Sequence, residues 1–276
     1  MSTNISAQGS GDSARPPFTT AGELRRHERF RSRFLEAERD VLVFLPPGYG
    51  AEPARRYPAL YLHDGQNLFD GETAYIRGRQ WRFSETAQAL INARSVEPLI
   101  VVGIYNTGHA RLDEYTPTPC ARMKAGGKAD LYGRLIVEEL KPFIDSRYRT
   151  LPDASHTGLG GSSLGGLVSL YLGLRHPDTF GRLAVLSPSV WWDNRAIVRE
   201  VRAMRSRTGA RIWLDMGTAE SRNATKDARV LRDALVEKGW HLERDLKYHE
   251  AHGAGHDEHA WAERVNPLLR FLYPCR

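Results

Sequence analysis

Short apolar runs bounded by turn residues alternate along this chain with longer stretches whose apolar positions recur every three or four residues. Runs at 59–62, 99–104, 183–186 and 212–214 are apolar almost throughout and predict strands buried on both faces. A further extended stretch covers 156–159. The 3.6-residue period predicts helices at 84–93, 132–143, 164–175, 195–205, 227–238 and 259–272. Near the start, 29–35 and 39–45 read as an antiparallel strand pair, the second closed by Pro46-Pro47-Gly48. Buried strands alternating with amphipathic helices predict an α/β protein: a mostly parallel central sheet, an antiparallel N-terminal strand pair, and helices on both faces. Such sheets bind ligands at the carboxyl ends of their strands, so the chemistry is sought in the polar residues that follow each strand.

Composition narrows the picture. Residues 1–22 are small and polar, broken by Pro16 and Pro17, and are expected to form a disordered tail. No later linker divides the rest, so 23–276 is expected to be one catalytic domain. With 276 residues and 41% apolar, the chain can bury a sizeable core. Basic residues outnumber acidic ones by 39 to 33, and only six of the 39 are Lys. The arginines are scattered rather than clustered, so the excess reads as compositional bias, and no nucleic-acid partner is expected. Cys120 and Cys275 read as free thiols. The N-terminus lacks the basic and apolar regions of a signal peptide, and no apolar run spans a bilayer. The expectation is a soluble cytoplasmic protein with no membrane partner.

Gly161-Ser162-Ser163-Leu164-Gly165 matches G-x-S-x-G between an extended stretch and a helical one. A serine on a sharp strand-to-helix turn needs small neighbours, and the helix N-terminus sets backbone N–H groups beside a developing oxyanion. Ser163 is the candidate nucleophile, with Ser162 a rival that lacks the glycine spacing. A serine that merely caps the helix is the plain structural alternative.

A serine nucleophile needs a base. Four histidines lie between 249 and 259: His249, His252, His256 and His259. His256 follows the last strand and Gly255, just before the final helix, where it can reach over the sheet. His249 falls in the strand and His259 in the helix. The cluster also invites a metal reading. However, the H-E-x-x-H spacing is absent and Gly253 and Gly255 break any helix, so no metal and no cofactor are expected. For the acid, Glu220 lies in the loop beyond the strand at 212–214. Asp215 is the runner-up, too close to the strand to reach outward.

Several motifs in order carry a resemblance: 45–49 (Leu-Pro-Pro-Gly-Tyr), 61–70 (Tyr-Leu-His-Asp-Gly-Gln-Asn-Leu-Phe-Asp), 111–117 (Arg-Leu-Asp-Glu-Tyr-Thr-Pro), the Ser163 turn, 187–192 (Ser-Pro-Ser-Val-Trp-Trp), and Gly255-His256. In these the chain resembles the esterase D-like family of α/β hydrolases, which includes feruloyl and acetylxylan esterases, enterochelin esterases, S-formylglutathione hydrolases and mycolyltransferases. The resemblance implies an α/β-hydrolase fold and a Ser163–Glu220–His256 triad. It also implies an oxyanion hole made by the backbone N–H groups of Leu164 and Gln66, with Gly65 allowing close approach. Many members carry Asp where this chain has Glu220. Trp191 and Trp192, beyond a strand end, and Asp64 and Asn67, beside Gln66, are candidate substrate-binding residues, with packing under a loop the alternative for the tryptophans.

The function expected is a serine carboxylic-ester hydrolase acting through an acyl-enzyme on a small acyl or carbohydrate-linked ester. An acyltransferase would use the same residues. A metalloenzyme built on the histidine cluster and a non-catalytic binding module are the readings from other classes. The partner expected is a small-molecule ester; nothing in the sequence speaks for an oligomeric state.

Overall fold

The apolar runs pair into a mixed sheet. The computed structural model describes residues 22–221 and 223–275. Its strands are β1 (Glu23–Phe30), β2 (Arg39–Leu45), β3 (Ala59–His63), β4 (Ile100–Ile104), β5 (Pro119–Cys120), β6 (Ala125–Gly126), β7 (Thr157–Ser162), β8 (Arg182–Leu186), β9 (Arg211–Gly217) and β10 (Leu246–Ala251). Eight of them form one sheet in the order β1-β2-β4-β3-β7-β8-β9-β10, while β5 and β6 pair apart as a small ribbon. In the large sheet the β1–β2 and β2–β4 pairings are antiparallel, and the pairings along β4-β3-β7-β8-β9-β10 are all parallel. The parallel strands therefore end along one edge of the sheet.

The helices are α1 (Phe83–Asn92), α2 (Arg111–Glu114), α3 (Ala129–Arg134), α4 (Lys141–Arg147), α5 (Leu164–Arg175), α6 (Ala196–Ala203), α7 (Ala224–Glu237) and α8 (Glu258–Leu272). Alternate residues on each strand point to opposite faces, so the sheet separates two cores. Leu60, Leu62, Leu186 and Trp213 meet α1 and α8 on one face. Tyr61, Leu159, Val185 and Leu214 meet α3 to α7 on the other. Helix α5 is buried on nearly all sides, which explains why its sequence shows no polar stripe.

Two readings of the sequence need correction. The first strand is Glu23–Phe30, not 29–35. It is an edge strand crowded with charge, as edges that resist further pairing are, so it carries little apolar signal. Its register breaks between His27 and Phe30, Phe30 pairs again with Arg39, and Phe30 and Phe34 pack on the core. The helix expected at 132–143 runs from 129 to 147 with a wide π-helical stretch, Leu135–Leu140, between α3 and α4. There the Lys141 N–H reaches back five residues to the Ile136 carbonyl, just ahead of Pro142, which has no N–H to donate. Of the expected tail, residues 1–21 lie outside the described residues. Among the described residues, no helix is long and apolar enough to cross a membrane. Cys120 is buried and Cys275 exposed, both unbonded.

One buried ion pair fixes a segment that the site depends on. Arg39 of β2 grips Glu114 of α2 through two bonds, Nη1 to Oε2 at 2.9 Å and Nη2 to Oε1 at 3.0 Å, with both side chains out of water. Removing one partner of such a pair strands the other charge in the interior. Glu114→Ala is therefore expected to lower stability by about 3–5 kcal/mol, read from the urea unfolding midpoint. A change below about 1 kcal/mol would show that the pair is not what holds α2.

Candidate active site

Strand β7 ends in a turn that an L residue adopts only under constraint. Ser163 has φ 59 and ψ −120. The turn is held from both sides: the Ser163 N–H donates to the Leu186 carbonyl at 3.0 Å, and the Ser189 N–H donates to the Ser163 carbonyl at 3.0 Å. The turn also needs empty space. A Cβ at Gly166 would lie 2.7 Å from the Leu186 carbonyl oxygen. The conformation pushes the Ser163 hydroxyl out over the strand ends, whereas the rival Ser162 closes β7 itself.

Three side chains from three loops meet there. His256, in the connection from β10 to α8, brings Nε2 to 3.0 Å from Ser163 Oγ. Its Nδ1 lies 2.7 Å from Glu220 Oε2, in the loop after β9. Trp261 packs edge-on to the imidazole, with ring centroids 5.0 Å apart. Burial alone would raise the Glu220 carboxyl. Hydrogen bonds from His256, Ser187 and the Gly217 N–H outweigh it and hold the carboxyl below its ordinary range, so Glu220 is ionised at neutral pH. Asp215 stands inside β9 and does not touch His256. Its oxygens take the Trp213 indole N–H at 2.7 Å, the Ser187 N–H at 3.0 Å and Arg264 Nη1 at 2.6 Å. The other histidines stay apart from this chain: His249 lies against Trp213 on β10, and His252 and His259 are exposed. Among the described residues, no group of three or more His, Cys, Asp or Glu side chains is placed to hold a metal ion.

The two residues read as oxyanion donors both stand in first helical turns. Leu164 is the first residue of α5, and Gln66 sits in the single 3₁₀ turn Gly65–Asn67 after β3. N–H groups in a first turn have no acceptor within their own helix. The 3₁₀ turn lies tight on the sheet, because a Cβ at Gly65 would come within 2.5 Å of the Gly103 backbone. Asp64, left-handed at φ 56, begins the turn and is clamped by Arg111 through Nε to Oδ1 at 2.7 Å and Nη2 to Oδ2 at 2.8 Å. Asn106 Nδ2 adds a third bond to Asp64 at 2.7 Å, and the Asn106 N–H reaches Gln66 Oε1 at 3.3 Å.

Two cavities flank the Ser163–His256 contact. The larger, about 650 Å³, is lined by Gln66, Tyr75, Asn106, His109, Arg111 and Trp261. The other, about 520 Å³, is lined by Pro188, Ser189, Val190, Trp191, Met216 and Ala224. Trp191, 46% exposed, forms a wall of the second. Trp192 does not: it is fully buried and donates its indole N–H to the Thr118 carbonyl at 3.0 Å, so it packs beneath the loop. Asp64 and Asn67 border the larger cavity, but their polar atoms are engaged within the protein. Asp64 holds Arg111, while Asn67 Oδ1 takes the Tyr75 N–H at 2.8 Å and Nδ2 faces Glu258 at 3.4 Å. Both thus line the cavity while also supporting the loop.

Sequence reasoning overlooked Tyr75, Asn106 and the group behind Glu220. Arg264 had a readable signal: it interrupts the apolar stripe Trp261, Val265 and Leu268 of the last helix, where a charge needs a buried partner. Tyr75 and Asn106 had none, since loop residues acquire meaning only from what folds beside them.

These strand-end loops on a mostly parallel sheet, covered by helices on both faces, define the α/β-hydrolase fold. The family described as "Putative esterase" matches residues 32–272, and the chain belongs to that family of esterases. The uncharacterized protein YbbA of Bacillus subtilis (strain 168) is 27% identical over 264 residues, which cover 91% of this chain and 96% of YbbA. Ferri-bacillibactin esterase BesA of the same strain is 30% identical over 173 residues, covering 57% of this chain and 56% of BesA. Among solved structures, the BES protein from Bacillus cereus superposes with a TM-score of 0.70 at 23% identity, with 99% of each chain covered.

His63, the last residue of β3, lies beneath the Ser163 turn and is wholly buried, with Nδ1 2.9 Å from the Tyr132 hydroxyl. Burial lowers its pKa from an ordinary 6.5 to about 3, so it is neutral wherever the protein is folded near neutrality. The unfolded chain protonates this group first as pH falls, so its contribution to stability is full above roughly pH 7.5 and declines from about 6.5 towards 3. His63→Asn removes that titration. The stability difference between the two proteins, from urea midpoints, should be constant above roughly pH 7.5 and move against the wild type below about 6.5. A pH-independent difference would show that His63 titrates in the folded protein as it does in the unfolded one.

Proposed function

We propose that this chain is a serine carboxylic-ester hydrolase that works through an acyl-enzyme. The observation that carries the reading is the unbroken chain of contacts from Ser163 Oγ through His256 to Glu220, at 3.0 and 2.7 Å. An ionised Glu220 accepts the Nδ1 proton of His256, which leaves Nε2 as an acceptor facing the Ser163 hydroxyl, the tautomer a general base needs. Ser163 attacks the ester carbonyl, and its proton passes to His256 Nε2. The oxyanion is taken by the N–H groups of Leu164 and Gln66. His256 then returns the proton to the departing alcohol, leaving the acyl group on Ser163. Water, deprotonated by the same imidazole, releases the acid and restores the serine.

The two cavities suit the two halves of an ester whose carbonyl sits at Ser163. The larger one offers hydrogen-bonding groups, and the second offers Trp191 and aliphatic walls to a small acyl or sugar-linked group. The likeness to a bacillibactin esterase supports including siderophore-type esters among the substrates tried.

Ser163→Ala is expected to lower kcat/KM on a short-chain nitrophenyl ester by roughly 10⁴-fold or more, and to abolish labelling by a fluorophosphonate probe. Glu220→Gln, which cannot hold the same imidazole tautomer, should cost roughly 10³–10⁴-fold in kcat. Turnover and labelling undiminished in a folded Ser163→Ala protein would refute the assignment. A panel of acetyl, feruloyl, thioester and siderophore-type esters then ranks the substrates.

A further inference from the structure

Glu220 offers its two oxygens to different sides of the site. Oε2 faces His256, while Oε1 accepts from the Gly217 N–H at 2.8 Å and from the Ser187 hydroxyl at 2.5 Å. That hydroxyl is itself boxed in. Its oxygen lies 3.1 Å from the Trp261 indole nitrogen and 3.1 Å from Arg264 Nη1. A hydroxyl has one proton and two lone pairs, and neither an indole nor a guanidinium N–H can accept. With both lone pairs taken by obligate donors, the Ser187 proton has one direction left, onto Glu220 Oε1.

We propose that Ser187, oriented by Arg264 and Trp261, is a positioning residue for the reaction, fixing the Glu220 carboxylate so that Oε2 holds His256 as the Nδ1–H tautomer. The inference rests on the serine-esterase reading above. It also gives Asp215 a task, although Asp215 never reaches the histidine. Asp215 holds Arg264 Nη1 at 2.6 Å and the Ser187 N–H at 3.0 Å, and so sets both the donor and the backbone of the serine, which stands at φ 40. Arg264 Nη2 lies 3.8 Å from Glu220 Oε1 and, among the described residues, makes no hydrogen bond. Burial raises the Asp215 carboxyl and Arg264 pairs with it, while hydrogen bonds keep Glu220 ionised beside His256. The Glu220 carboxylate therefore favours the charged imidazole that forms when His256 takes the serine proton.

The positive φ of Ser187 supplies a clean variant, because glycine accepts that conformation without strain. Ser187→Gly removes the hydroxyl and leaves the turn free to form. It is expected to fold with a modest loss of stability, since the Trp261 N–H loses its partner while Arg264 Nη1 keeps Asp215, and to lower kcat roughly 10- to 100-fold, the scale of one hydrogen bond to a charged group, with KM little changed. The low-field proton resonance of His256 Nδ1–H, read by NMR without substrate, should move upfield or be lost to exchange. Should the glycine variant unfold, Trp261→Phe keeps the ring against His256 but removes one of the two donors. It should shift the same resonance in the same direction and lower kcat by a smaller factor. Wild-type kcat, or an unchanged His256 resonance, in either folded variant overturns the proposal. A wild-type protein that hydrolyses no ester and takes no fluorophosphonate probe instead overturns the esterase reading, and the NMR signal separates the two failures because it needs no turnover.

Discussion

The turn at Ser163 is the constraint to which the rest of the site is fitted. A serine at φ 59 and ψ −120 is strained by about 1–3 kcal/mol, and such a conformation persists only where the surroundings leave no other choice. Here β8 supplies the acceptor for its N–H, the loop after β8 donates to its carbonyl, and α5 begins immediately so that the strand cannot continue. The same β8 loop carries Ser187, which touches Glu220. The element that forces Ser163 outward is thus the one that steadies Glu220, and a displacement of β8 would disturb both ends of the hydrogen-bonded chain.

Around this turn, charge is distributed by how it is satisfied. His63, directly beneath, has no counter-charge in hydrogen-bond contact and remains neutral. Asp64 and Arg111 neutralise each other, and Arg39 and Glu114 do the same one layer further in, anchoring α2 and with it Arg111. Glu220 is kept ionised by hydrogen bonds that outweigh its burial. His256, with its side chain 43% exposed, faces the cavities between Ser163 and Glu220. The supports around Ser163 are thus paired or neutral, while His256 is open to solvent.

Part of this arrangement is legible in the sequence. Strands β3, β4, β8 and β9 were marked by continuous apolar runs because both faces of each are buried, and α5 by its position after a glycine-rich turn. Ser163 was legible because its turn requires small residues at fixed local offsets. His256 and Glu220 were placed by their position after a strand. By contrast, β1 was misplaced because an exposed edge strand owes its existence to its partner rather than to its own side chains. Trp192, a candidate ligand contact by its neighbours, is fully buried, because proximity in sequence to a site does not say which way a side chain points.

The sequence by itself determined what depends on neighbours a few residues apart: strand and helix periods, the sharp serine turn, and the place of Ser163, Glu220 and His256 after successive strands. The tertiary structure alone decided which polar atoms meet across the chain, including Ser187 with Arg264, Asp64 with Arg111, and Arg39 with Glu114. The physical reason is that a backbone preference is paid residue by residue and leaves a local trace. A buried charge is satisfied by a partner 47 to 77 positions away, and nothing in the intervening sequence records that meeting.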